Sequence, residues 1–118
     1  MEIDEIKKML ASPDMDKLLA ELYLKKGTWH VTSPRSDNVI SHGGRPWMPS
    51  TNIKDALSLV PKITAKGHEV WMDAWKDGTF SAGVSLEDGH DTGSLQGDTV
   101  EAALCRALLV LPLVGGWP

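Results

Sequence analysis

The stretch EVWMDAWKDGTFSAGVSL, residues 69–86, decides the fold, because strand periodicity, turn chemistry and aromatic density coincide only there. Phe80, Ala82, Val84 and Leu86 alternate with Thr79, Ser81, Gly83 and Ser85, the period of two that separates the faces of a strand. Val70, Met72 and Ala74 alternate with Trp71, Asp73 and Trp75 in the same way. Between the runs, Asp77-Gly78 supplies turn chemistry, since glycine takes positive φ without steric cost. A β-hairpin follows, in one of two registers. A three-residue loop, Lys76-Asp77-Gly78, pairs Ala74 with Phe80 and Met72 with Ala82. A two-residue loop pairs Trp75 with Phe80 and Trp71 with Val84. The slip between them exchanges the faces. The three-residue loop is preferred, because it gathers the aliphatic side chains on one face and leaves tryptophan, Asp73 and small polar residues on the other.

Upstream, Ile3, Ile6, Met9 and Leu10 recur at helical spacing over residues 2–11. Ser12-Pro13-Asp14 then gives an N-cap, a proline in the first turn and an acidic start to a helix over 13–26, with Gly27 at its end. Residues 28–32 favour a strand. Residues 33–50, with Pro34, Gly43-Gly44, Pro46 and Pro49, are expected to form a long loop, with a brief strand at 38–41 as an option. Ser50 or Thr51 is expected to cap a helix with Ile53, Ala56, Leu57 and Val60 inward, ending or kinking at Pro61. Downstream, residues 87–97 form a glycine-rich acidic loop. Asp98 and Glu101 open a final helix, 99–111, that is apolar on almost every side; Pro112 stops it and 112–118 form a tail.

Length and composition indicate one domain over residues 1–118, with helix 1–11 peripheral. The single cysteine, Cys105, excludes an intrachain disulfide and suits a reducing compartment. The start, MEIDEIKK, is charged and amphipathic rather than a leader, and the apolar run over 108–114 is far shorter than the ~20 residues that span a bilayer. A soluble, cytoplasmic protein without membrane association is expected. Residues 1–66 hold ten Lys/Arg and eight Asp/Glu, whereas residues 67–118 hold two and eight. The acidic second half argues against direct nucleic-acid binding through the hairpin and suits a basic partner or a solvated face.

No catalytic signature is present. His30, His42, His68 and His90 lie 12, 26 and 22 residues apart, without HxxxH, HExxH or CxxC spacing, so no metal or cofactor is expected. Cys105 lies in the apolar helix as a small buried thiol. Glu87, Asp88 and Asp91 lack the ligand order of an EF-hand. Arg35, His42 and Arg45 around Gly43-Gly44 form an alternative anion-binding loop, without a phosphate-loop motif to support it. Five tryptophans against one Phe and one Tyr are the compositional excess. Trp71 and Trp75 flank Asp73 on the hairpin, and Trp47 lies in the proline-rich segment; they are either contact residues or packed beneath a second layer.

The layout of an amphipathic helix, Gly27-Thr28-Trp29, Pro46-Trp47-Met48-Pro49-Ser50-Thr51, a short helix, an aromatic hairpin and a final helix opened by Asp98-Thr99 resembles the phage and prophage ABA-sandwich domain family over residues 15–111. Pro61 and the Trp-bearing tail depart from that pattern. The resemblance implies an α+β fold, an antiparallel sheet between helical layers, and a phage or prophage origin; the family carries no activity or functional residues to transfer. The sequence therefore leads to an expectation of a non-enzymatic accessory protein that binds a host protein, with a homodimer also compatible. Candidate contact residues are Trp47, Trp71, Asp73, Trp75, Glu87, Asp88 and Asp91. The other readings are a small-molecule or anion binder using Arg35, His42 and Arg45, and a virion component.

Overall fold

The computed structural model of the chain describes residues 1–32 and 39–117. The fold is α+β, with two three-stranded antiparallel sheets packed with helices. The hairpin forms one sheet with a third strand: β4 (Glu69–Ala74), β5 (Phe80–Ser85) and β6 (Leu95–Gly97), in that spatial order. Its register is the preferred one, Ala74 opposite Phe80 and Met72 opposite Ala82. Trp75 N–H donates to Thr79 O at 2.9 Å and closes the three-residue loop. Strand β6 replaces the end of the expected 87–97 loop. At three residues it is too short for periodicity to announce it.

Helix α5 (Val100–Val110) lies across the aliphatic face of this sheet, packing on β5 and β6. The approach is close at Gly97, where an added Cβ would lie 2.6 Å from Ala103 N. As its composition implies, α5 is the most buried helix, exposing little beyond Glu101 and Arg106. Its N-cap is Thr99 rather than Asp98, the hydroxyl accepting from Ala102 N–H at 3.1 Å. Each fully enclosed leucine, Leu104 and Leu108 among them, contributes roughly 1.5–3 kcal/mol through removal from water.

Within the expected 33–50 loop, residues 40–42 and 45–47 are strands. β1 (Trp29–Val31), β2 (Ile40–His42) and β3 (Arg45–Trp47) pair antiparallel in that order. Gly43 and Gly44, at φ +64° and +78°, make the two-residue turn whose twist matches the flanking strands. Pro46 fits because β3 is an edge strand, where one backbone face needs no donor. Arg35 lies outside the described residues, as does the start of the optional strand at 38–41.

Helix α1 spans Ile3–Lys8, and α2 spans Pro13–Tyr23, three residues shorter than its sequence pattern suggests. Lys25 and Thr28 instead close a turn in which Gly27 takes positive φ. The third expected helix divides into α3 (Ile53–Leu57) and α4 (Val60–Thr64). Pro61 sits in the first turn of α4, where its missing N–H costs nothing. Asn52, not Ser50 or Thr51, caps α3, accepting from Lys54 and Asp55 N–H. The break also changes the buried set: Leu59 and Ile63 are enclosed with Ala56, while Leu57 is exposed.

The C-terminal segment is a docked element rather than a tail. A 3-10 turn, Leu111–Val114, follows α5. Trp117 then packs against Tyr23 with the rings tilted by 52° (centroids 4.9 Å apart) and donates from Nε1 to Leu22 O at 2.9 Å. That carbonyl is one of the four left unpaired at the end of α2. His68 ties the segment to the hairpin: its Nδ1 accepts from Glu87 N–H at 3.1 Å, which leaves Nε2–H to donate to Gly116 O at 3.0 Å. Only the neutral ring protonated at Nε2 makes both bonds. His68→Ala should lower the unfolding free energy by about 1–2 kcal/mol, and His68→Gln should recover part of it. Urea unfolding checks this; an unchanged midpoint for His68→Ala would contradict the tether.

Candidate functional site

The second face of the hairpin sheet carries Trp71, Asp73 and Trp75, alternating with the residues that meet α5. Trp71 is structural. Its ring covers Gly83, where an added Cβ would come within 2.2 Å of Trp71 Cζ2, so any side chain at 83 would displace the indole. Trp75 is different. It is 53% exposed, yet its Nε1–H donates to Ser81 Oγ at 2.9 Å, and Ser81 is itself buried. An exposed indole is thus oriented by a buried hydroxyl, with the carboxylate of Asp73 exposed on the same face.

Trp75 also forms a wall of an open cleft of about 410 Å³ with Lys76, Asp77, Thr79 and Gln96. Asp77 accepts from both the hydroxyl and the N–H of Thr79, at 2.6 and 2.9 Å, and these bonds hold its carboxyl below the ordinary range. The nearby Arg106 offers little to a ligand. Its guanidinium donates to Gln96 O at 2.6 Å and to Met9 O at 2.8 Å, fastening α1 and β6 to α5.

The acidic loop backs onto this face. Gly93 O lies 2.7 Å from the position of a Gly83 Cβ, and Asp91 bridges to Ser85. Glu87, Asp88 and Asp91 are exposed. Asp88 accepts from His90 N–H, with His90 Nδ1 3.0 Å from the same oxygen, and these contacts lower its pKa. Asp91 accepts from Gly93 N–H at 2.7 Å. Asp88 and Asp91 each order their own turn, and no group of ligands for a metal gathers among the described residues. Trp47 is a correction: at 2% exposure it belongs to the core and has no surface to offer a partner. Cys105 is enclosed, and burial pushes its thiol well up.

The two described groups of the anion-binding alternative have partners within the fold. Arg45 Nη1 donates to Asp55 Oδ1 at 3.1 Å, and His42 Nδ1 lies 2.9 Å from Thr28 O. Asp55 also accepts from Met48 N–H at 2.9 Å, and Asp16 accepts from Ser50 N–H at 2.8 Å. These two enclosed carboxylates, 2% exposed at Asp16 and 1% at Asp55, hold residues 45–52 against α2 and α3. The sequence reading of this helix start rested on Ser12-Pro13-Asp14 and did not single out Asp16. The available signal was its position in the stripe of Leu19, Ala20 and Tyr23, at spacings of three, four and seven.

Burial raises the Asp16 pKa above 3.8, opposed by the Ser50 hydrogen bond and reinforced by the charge of Asp55. The folded state therefore holds the Asp16 proton more tightly than the unfolded chain. The contribution of Asp16 to stability falls as pH rises from the ordinary carboxylate value through the raised one. Asn at this position keeps an acceptor for Ser50 N–H without the charge. Asp16→Asn should thus be more favourable relative to the native chain at about pH 7 than near pH 4. Urea unfolding at both pH values checks the sign, and the reverse order would contradict it.

Comparison of the chain with protein-family models, curated proteins and solved structures gives no match.

Proposed function

We propose that this chain is a non-enzymatic binding protein whose Trp75–Asp73 face takes a basic segment of another protein. The observation that carries the reading is Trp75, a large exposed indole held in one orientation by the buried Ser81 hydroxyl. Such a side chain has little freedom left to lose on binding, the property that makes tryptophan a frequent anchor of interfaces. Asp73 and Asp77 lie on either side of it in the chain and are exposed, and Glu87, Asp88 and Asp91 add exposed negative charge at the other end of the hairpin, beside His68 and Ser85. A cationic partner would be attracted to this field, and a guanidinium or ammonium could lie on the indole face.

Arg45, the described arginine of the alternative loop, supports a structural role there, since its partner is Asp55. The resemblance to phage ABA-sandwich proteins supplies the wider reading: an accessory protein acting on a host protein in the bacterial cytoplasm, to blunt a defence or redirect an enzyme. Among the described residues no helix is long and apolar enough to cross a membrane.

Pull-down from bacterial lysate tests the proposal. The native chain should capture one dominant protein with an accessible basic segment. Trp75→Ala should weaken that capture by about 2 kcal/mol, roughly thirtyfold, without changing thermal stability by more than a few degrees. Asp73→Lys should weaken it further. Undiminished capture by both variants would overturn the assignment of this face.

A further inference from the structure

Among the described residues the hairpin sheet ends at β4, with β5 on one side and no further strand on the other. The direction of each β4 backbone group follows from the turn. Trp75 N–H donates to Thr79 O, which marks that pair as hydrogen-bonded. Hydrogen-bonded and non-hydrogen-bonded pairs alternate along an antiparallel ladder. Asp73–Ser81 and Trp71–Gly83 therefore bond across to β5, while the N–H and C=O groups of Val70, Met72 and Ala74 point outward. Strand β5 gives an independent check. Val84, opposite Val70, directs its N–H to Thr92 Oγ1 and accepts Thr92 N–H, both at 3.0 Å and both away from β4. At the outer edge Met72 is 38% exposed and Ala74 is exposed.

The side chains beside this edge differ by face. Glu69, Asp73 and Trp75 lie on one face; Met72 and Ala74 lie on the other. Resting on the reading of the tryptophan face given above, we infer that the β4 edge accepts an extended segment of a partner as a fourth strand, with cationic and apolar side chains alternating. Its Lys or Arg residues lie beside Glu69, Asp73 and the Trp75 indole, within the ~5 Å reach of cross-strand neighbours. Its apolar residues extend the Met72–Ala74 face. Main-chain hydrogen bonds to Met72 and Ala74 supply affinity, and the alternating faces supply selectivity. A second copy of this chain is disfavoured at the edge. Antiparallel self-pairing would bring Glu69 and Asp73 of both copies onto the same face, and like charges across strands destabilise a ladder.

The test is an NMR titration of the native chain with an acetylated peptide alternating arginine and valine over about six residues, a usual strand length. Three controls accompany it: the same residues in two blocks, and two forms of the alternating peptide N-methylated on every second residue, one in each phase. The alternating peptide should bind with shifts centred on Met72 and Ala74, and the block peptide should bind at least tenfold more weakly. One N-methylated phase should lose at least tenfold in Kd, and the other should be tolerated. Equal binding by both N-methylated forms and the parent would overturn strand addition, leaving the basic-segment reading of the face intact. No binding by any peptide would overturn both. Self-association through β4 that the peptide does not displace would replace the partner strand with a second copy, and so overturn the inference.

Discussion

A helix that is apolar nearly all round must be enclosed, and α5 imposes that requirement on the rest of the chain. The hairpin sheet covers one side of it, and α1, α2 and α3 close around the others. The enclosure includes backbone chemistry as well as side chains. Pro112 has no N–H, so Leu108 O lacks its partner four residues ahead. The hydroxyl of Tyr23 donates to that carbonyl from α2. Leaving a buried carbonyl unpaired costs about 1–3 kcal/mol, so the proline that ends α5 and the tyrosine that ends α2 form one device. Burial raises the Tyr23 pKa, which keeps it in the protonated form that donates.

The same requirement explains how the two faces of the hairpin divide their work. Val70, Ala82, Val84 and Leu95 face α5 and the core. The opposite face is covered by the sheet's own residues, with Trp71 spread over Gly83 and the 87–94 segment packed beside it. That economy leaves Trp75 at the rim, oriented by Ser81 but only partly covered. That rim, with Asp73 and Asp77 beside it and the β4 edge next to it, lies apart from the core.

Much of this was legible in the sequence, and the failures have physical causes. The hairpin and its register were readable because six-residue strands show their period and Asp77-Gly78 marks the turn. The strands β1, β2, β3 and β6 have three residues each, too few to display a period, so their pairing partners decide them. Gly43-Gly44 was recognisable as a turn, but not as a hairpin turn. α2 stops at Tyr23, where Trp117, ninety-four positions further along the chain, supplies a donor to Leu22 O; no local pattern encodes that. At the site, the Trp71–Asp73–Trp75 face was visible from alternation. Which indole is structural depended on Gly83 and Ser81 across the strand, and the role of Asp16 depended on a backbone N–H thirty-four residues away.

Among the described residues β4 is an edge strand with a fixed alternation of backbone direction, and the hairpin register and the proposed strand addition both require that alternation. Residue-resolved amide hydrogen exchange measures it directly. Slow exchange is expected at Trp71, Asp73 and Trp75, whose N–H groups bond across the hairpin, and fast exchange at Val70, Met72 and Ala74. Uniform protection along β4, or the opposite alternation, would contradict it.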